Sequence, residues 1–242
     1  MTKVLVKLRH ELHKNPELSG VEFETAEYIA TSVRKLSPDD LKTKVGGCGV
    51  AAIFDGENDG PSVLFRAELD ALPIEEINNF SHKSQNKGVS HKCGHDGHMP
   101  MLLGAAETLA KNPEFEGTVV FIFQPNEEHG LGARAMIEEG FLEQFPLDEV
   151  YAIHNLPDAP VGPVSTRVGQ ICASESLFEI EISGQGGHAS MPHVGVDAIT
   201  VGAEIVQALQ TVVSRKLAPG AGVVVSVTEF LTDGQHNVLP GN

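Results

Sequence analysis

A chain of 242 residues with a formal net charge of −16 has room for one large domain or two small ones, and it lacks the basic surface that nucleic acid or an anionic membrane requires. Hydrophobic residues make up 41% and charged residues 21%, a globular balance with no apolar run long enough to cross a bilayer. Aromatic residues at 5%, with no tryptophan, argue against stacking platforms for sugars or bases, and three cysteines (Cys48, Cys93, Cys172) suit a reducing, cytoplasmic setting in which a thiol stays free to ligate.

The N-terminus turns charged at Arg9-His10-Glu11 before a leader's apolar region develops, so it does not read as a signal peptide. Val4, Leu5, Leu8 and Leu12 fall at helical spacing, and Asn15-Pro16 stops them. A second helix is expected from Glu22 to Leu36, with Ala26, Ile29, Ala30, Val33 and Leu36 on one face and Ser37-Pro38 at its end. Residues 49–54 read as a strand with Asp55-Gly56 as turn chemistry. Residues 62–67 read as another, running into Glu68-Leu69-Asp70-Ala71-Leu72-Pro73. Residues 75–94 are polar and irregular, a long loop of the kind that often serves function.

A helix is expected from Met99 to Ala110, stopped near Asn112-Pro113. Residues 118–123 are continuously apolar, as in a strand buried on both faces, and Gln124-Pro125-Asn126-Glu127-Glu128 follows at once. A helix over Ala133–Glu139 ends at Gly140, a natural residue just past a helix C-terminus. Residues 149–153 form a further strand with His154-Asn155 at its end.

Strands alternating with helices imply an α/β fold with a mostly parallel, doubly wound sheet. In such sheets the crevice beyond the strand C-termini holds the site. Glu68, Asp70, Glu127, Glu128 and His154 all lie just past strand ends, and Cys93 and His95 lie at the entry to the helix before the 118–123 strand. Four separated segments therefore converge on one edge.

After Pro157 the pattern changes. Residues 177–182 alternate with period two, Gly184-Gln185-Gly186-Gly187-His188 is a glycine-rich turn, Asp197 to Lys216 reads as a long helix, and residues 223–230 as a strand. This predicts a second, α+β domain over 174–242 beside a first over 1–173. The glycine spacing fits neither a dinucleotide nor a phosphate-loop fingerprint.

The densest chemistry lies in Cys93-Gly94-His95-Asp96-Gly97-His98. Cys93 and His95 can reach one ion, although the same spacing also describes a buried thiol beside a surface imidazole. Asp96 and His98 could fix an imidazole tautomer from behind. Glu127 and Glu128 are either a solvated pair or two carboxylates at a buried mouth, where they repel unless a cation or proton intervenes. In the second case one binds metal while the other moves a proton. His154 reads as a ligand or as a satisfied histidine, and His188 as a substrate contact or a turn cap. His10, His13, His82, His129 and His236 carry no signal beyond an ordinary surface or core role.

Taken together, these segments resemble the M20 metallopeptidase clan, in its amidohydrolase branch. The matching runs are Leu8 to Leu18, Arg66 to Pro73, Cys93 to His98, Phe123 to Glu128, Ile153 to Pro157, Gly186 to His193 and Asn237 to Pro240. They occur in order over essentially the whole chain. The resemblance implies a zinc-peptidase-like catalytic domain and, from about residue 174, a lid that dimerises. It implies two divalent metal ions (zinc, manganese, nickel or cobalt) held by Cys93, His95, Glu128 and His154. Glu127 is then the general base, Asp70 a supporting aspartate, His188 a group that reaches the partner's site to steady a carbonyl oxygen, and Asn237 a lid residue near substrate.

Two departures are mild: Glu68 stands where the family usually has Asp, and Asn126 where it usually has Ala. The third is length. In the family the chain returns from the lid to complete the sheet and supply a last histidine ligand, so the resemblance implies that catalytic domain and lid are both incomplete at Asn242.

The resemblance implies a cytoplasmic hydrolase acting on small N-acyl amino acids or related conjugates, dimeric through its lid when complete, with no nucleic-acid or membrane partner. The competing expectation is an inactive fragment that retains only metal binding or dimerisation. A peptidase of the same clan fits less well, because its branches carry an aspartate-based bridging ligand in place of the cysteine.

Overall fold

A computed structural model describes residues 2–242 and divides the chain into two compact units, one ending at Ala159 and the other running from Pro160 to Asn242.

The first unit is built on a five-stranded sheet of order β1-β2-β4-β3-β5. Its strands are β1 (Asp40–Val45), β2 (Gly49–Asp55), β3 (Asn58–Glu68), β4 (Glu116–Gln124) and β5 (Glu149–Ala152). β2 pairs antiparallel with both β1 and β4, whereas β3 pairs parallel with β4 and β5. Four strands therefore run one way and β2 alone runs against them, and β3, β4 and β5 end on one edge.

Helices cover both faces, as the mostly parallel, doubly wound expectation requires. α1 (Thr2–Lys14), α2 (Phe23–Arg34) and α3 (His95–Ala110) lie over one face, and α4 (Gly132–Glu138) with α5 (Phe141–Gln144) over the other. Strand alternation feeds the two layers. Val50, Ala52 and Phe54 of β2 join Ile29, Val33 and Met99, while Ala51 and Ile53 join Met136 and Phe141. Ile29 and Val33 are fully buried, and each such side chain stabilises by roughly 1.5–3 kcal/mol relative to exposure.

Two details depart from the sequence pattern. β1 carries no apolar run. It is a polar edge strand with two lysines, held by its register against β2 (Leu41 opposite Ala52), and lysine is a common guard on sheet edges. α3 begins at His95 rather than Met99, because Gly94 in the left-handed conformation (φ 100°) starts the helix ahead of its apolar face.

In the second unit, α6 (Ala198–Thr211) is capped by Asp197, whose Oδ1 accepts the Ile199 N–H at 3.0 Å, and it runs into a π-helical turn over Val212–Lys216. Two short strands, β6 (Gly187–His188) and β7 (Val238–Leu239), pair antiparallel. Residues 177–182 and 223–230, expected as strands, form no ladder. Ile182 and Phe230 instead close on Gly202 of α6, where an added Cβ would come within 3.3 and 2.7 Å of them. Alternation alone does not make a strand when no neighbouring backbone meets its N–H and C=O groups. Among the described residues no helix is long and apolar enough to cross a membrane.

Candidate metal centre

The site forms where β3, β4 and β5 end and α3 begins. His95, the first residue of α3, is fully buried. Its Nδ1 lies 2.9 Å from the Asp70 carbonyl oxygen and 3.3 Å from Asp70 Oδ1. A carbonyl can only accept, so Nδ1 carries the proton and Nε2 is left with a lone pair. That Nε2 points between two acids, 3.6 Å from Glu127 Oε2 and 3.9 Å from Glu128 Oε1. His154 repeats the pattern two residues past β5. Its Nδ1–H donates to the Asn155 carbonyl at 2.7 Å, and its Nε2 lies 3.3 Å from Cys93 Sγ. Both imidazoles are thus held in the tautomer that can ligate through Nε2.

Gly94 makes the Cys93–His95 hinge possible. Besides its positive φ, a Cβ there would collide with the Asn155 side chain. Asn155 is held by His98, which bonds Glu68 Oε2 through Nδ1 at 2.8 Å and meets the Asn155 amide at 2.7 Å and its backbone N–H at 3.1 Å through Nε2. His98 therefore steadies the residue whose carbonyl orients His154. Both of its nitrogens are engaged, although its donor atoms also lie within 4.8 Å of those of Glu68 and His95.

Glu127 and Glu128 follow β4 through Pro125 and Asn126, the latter at φ 51°. Asparagine tolerates this left-handed conformation better than most residues. Asp70 Oδ2 accepts the Glu128 N–H at 2.9 Å and the Ser19 hydroxyl at 2.7 Å. Arg66 donates to Glu68 at 2.8 Å and to Gln124 at 2.6 Å, and its guanidinium lies 3.9 Å from Glu127.

The electrostatics follow from this crowding of acids. Burial, reinforced by the Glu128 charge, pushes the Cys93 thiol up to about 12. Burial also raises Glu127, with Glu128 adding to it and His95 and Arg66 opposing. Burial alone would raise Asp70, but hydrogen bonds from His95, the Glu128 N–H and Ser19 overcome it and bring Asp70 down to about 2. Burial would depress His95, yet the Asp70 and Glu68 carboxylates outweigh it and the imidazole is raised.

Among the described residues, His95 Nε2 and Glu128 Oε1 are buried without a hydrogen-bond partner, whereas Asp70 Oδ1 lies 3.3 Å from His95 Nδ1. Orphaned buried acceptors are costly, and His95 Nε2 and Glu128 Oε1, 3.9 Å apart, are a pair that a shared cation would satisfy. Donor atoms of Cys93, His95 and His154 lie within 4.8 Å of one another, as do those of Asp70, His95 and Glu127. The first set offers sulfur and nitrogen, the second mostly oxygen, and they share His95, a donor mix that suits divalent ions of borderline character.

The residues behind the site include several with no sequence signal. His13 is buried between Asp96 Oδ2 (2.9 Å) and Glu76 Oε2 (3.0 Å). Arg9 also donates to Asp96, at 3.1 Å. Asp96 thus anchors the start of α3 to α1, and the group that meets His95 Nδ1 is Asp70. Glu76 gathers Lys92, Asn78 and the Ser84 N–H, which organises the long loop that delivers Cys93. An acid whose partners lie across the loop looks like any solvated acid in sequence.

His188 and Asn237 belong to the second unit. His188 Nδ1 accepts the Ser190 N–H at 3.1 Å, and the Asn237 carbonyl accepts the Ala189 N–H at 3.1 Å, so β6 and β7 hold the two near each other.

The family profile described as peptidase family M20/M25/M40 matches residues 64–237. N-acetyl-L-cysteine deacetylase of Bacillus subtilis is 40% identical over 245 residues, covering 99% of this chain and 57% of that protein. Hippurate hydrolase of Campylobacter jejuni is 37% identical over 234 residues, covering 97% of this chain and 61% of that protein. A crystal structure of a dinuclear metal binding peptidase of the M20 family from Bacillus subtilis is 31% identical, with a TM-score of 0.70 over 99% of this chain and 61% of that one. The chain spans somewhat over half the length of these relatives.

Proposed function

The chain belongs to peptidase family M20/M25/M40, and we propose that it serves a metal-dependent amidohydrolase which removes the acyl group from small N-acyl amino acids. The observation that carries this reading is the facing pair of orphaned acceptors, His95 Nε2 and Glu128 Oε1, set against the Cys93–His154 contact. Relatives named as an N-acetyl-L-cysteine deacetylase and a hippurate hydrolase supply the substrate class.

In this reading Cys93, His95, Glu128 and His154 would hold two divalent ions, which when bound would supply the Lewis acidity that polarises the amide carbonyl and acidifies water. The two glutamates are told apart by their surroundings. Glu128 has a buried, unpartnered oxygen and a backbone N–H fixed by Asp70, as suits a ligand. Glu127 has a third of its side chain exposed and a raised proton affinity, as suits a base. Glu127 takes the proton from the attacking water and returns it to the leaving amine. Asp70 holds His95 in its ligating tautomer.

Residues 1–173 form the catalytic part and 174–242 the lid of a cytoplasmic homodimer, in which His188 steadies the carbonyl oxygen and Asn237 contacts substrate.

The test is turnover of N-acetyl and N-benzoyl amino acids by the metal-loaded protein and by Glu127→Gln. The variant keeps its metal content and loses on the order of 10²–10⁴ in kcat. Unimpaired turnover in Glu127→Gln would sink the role given to that residue. Metal bound without any turnover by the unaltered chain would favour the reading in which it retains metal binding alone.

A further inference from the structure

Glu22 is fully buried and, among the described residues, forms no ion pair. It occupies the N-cap position of α2, yet its side chain makes no capping hydrogen bond, so helix capping does not explain its burial. Its Oε1 instead accepts two backbone N–H groups, from Gly20 at 2.9 Å and from Asn126 at 2.7 Å. Its Oε2 is buried without a partner. The Cys48 thiol lies close enough to feel the charge. Burial first and Glu22 second push Cys48 up to about 11, so it stays protonated beside the carboxylate.

The bond to Asn126 spans 104 residues and lands one position before Glu127. The Asp70 bond to the Glu128 N–H lands one position after it. Between these grips Asn126 holds its left-handed φ of 51°, and its carbonyl accepts from Leu131 at 3.3 Å and Gly132 at 3.1 Å, which closes the turn. The Glu127 carbonyl accepts from Gly130 at 2.7 Å, so carbonyl bonds hold one side of the turn while the Glu22 and Asp70 grips hold its N–H groups at 126 and 128.

We propose that Glu22 is a positioning residue for the Glu127–Glu128 pair: with Asp70, its buried carboxylate clamps the peptide N–H groups on either side of Glu127 and so fixes which carboxylate oxygen faces His95. The inference rests on the reading that Glu127 and Glu128 serve a metal centre. It extends that reading to a residue on the far side of the turn. Two buried carboxylates gripping N–H groups form a preorganised frame, stiffer than one the glutamates could make for themselves.

The test compares Glu22→Gln and Glu22→Leu with the unaltered chain by cobalt(II) titration, followed through the visible bands of bound cobalt and its cysteine thiolate transition. Gln keeps an oxygen that can accept both N–H groups, so affinity stays within about threefold. Leu keeps the volume but not the acceptor, and affinity falls by roughly 10–100-fold with a shifted spectrum. Ile29→Ala, in the same helix, is the control for lost stability alone, and it leaves the spectrum unchanged. Should Glu22→Leu fail to fold, Glu22→Asp, one methylene too short to hold both N–H groups, carries the same expectation.

Wild-type affinity and spectrum in Glu22→Leu would overturn the clamp. So would equal damage from Glu22→Gln, or the same spectral shift from Ile29→Ala. Absence of cobalt bands in the unaltered chain would remove the metal centre itself, an outcome distinct from bands that Glu22 does not influence.

Discussion

Cys93 Sγ and His154 Nε2 stand 3.3 Å apart although 61 residues separate them in sequence. The sheet brings them together: β5 runs parallel to β3 and releases His154 at the edge where Gly94 opens α3. With no ion between them they make at best a weak sulfur hydrogen bond. With one they make two legs of a coordination shell.

The state of Cys93 gives that contact a pH signature. Its thiol, pushed up to about 12, is protonated at neutral pH, and an ion must displace the proton to bind. Affinity therefore rises with pH, by about tenfold per unit for one proton released. Cobalt titrations at pH 7 and pH 8 measure the slope. Cys93→Ser abolishes the thiolate band, and a Cys93→Ser protein that kept the band would remove Cys93 from the centre.

Asp70→Asn tests support from behind. Asp70 accepts from Ser19 and from the Glu128 N–H and lies beside His95 Nδ1. Loss of its charge weakens metal binding by roughly 10–100-fold, as for other residues that orient ligands. Metal analysis after gel filtration reads the outcome.

Glu76→Gln reports on the loop that delivers Cys93. Burial alone would raise Glu76, but Lys92, the Ser84 N–H, Asn78 and His13 bring it from 4.5 down to about 2. A carboxyl depressed in the folded state stabilises fully above its unfolded value and loses that contribution as pH falls through the folded one. The unaltered protein is therefore more stable than Glu76→Gln at pH 7, and the gap closes between pH 4.5 and 2. Denaturant melts of metal-free protein across that window show the convergence, and a gap independent of pH would contradict it.

Gly94→Ala strains a φ of 100° and drives a Cβ into Asn155. The conformation alone costs about 1–2 kcal/mol, and relief of the clash displaces the residue that orients His154. Circular dichroism shows the fold retained, while the cobalt thiolate band weakens or vanishes.

Ile29→Ala empties a fully buried position between α2 and the sheet. It costs about 2–5 kcal/mol, measured as a lower denaturation midpoint at unchanged m-value.

The elements that shout in sequence are those with apolar faces. β2 and β4 stand out as continuous apolar runs because both of their faces are buried, and α2 shows its stripe. β1 is silent because an edge strand needs only one neighbour and can remain polar. The ligand candidates are legible because short spacing and strand ends place Cys93, His95, Glu127, Glu128 and His154 together. Their scaffolding is not. Besides a near neighbour each, Glu22 reaches a partner 104 residues away and Glu76 partners 8, 16 and 63 away, while His13 bridges 63 and 83 residues, and nothing local distinguishes a buried acid from a surface one. The strands expected over 177–182 and 223–230 fail for a related reason: period-two alternation states which face is apolar, not whether a partner strand exists to meet it.

The two grips around Glu127 fall on main-chain N–H groups and ignore the side chains at 126 and 128. The backbone role of position 126 therefore does not depend on its side chain, although that side chain is itself partly buried. Any residue that accepts a left-handed φ can stand there, and asparagine in place of the alanine usual in the resembled family leaves the frame untouched. Proline is barred outright, since it has neither the N–H to be gripped nor the φ, and β-branched residues are disfavoured by the φ alone. A site whose scaffold is written in backbone bonds can drift in sequence around its chemistry and still present the same two carboxylates.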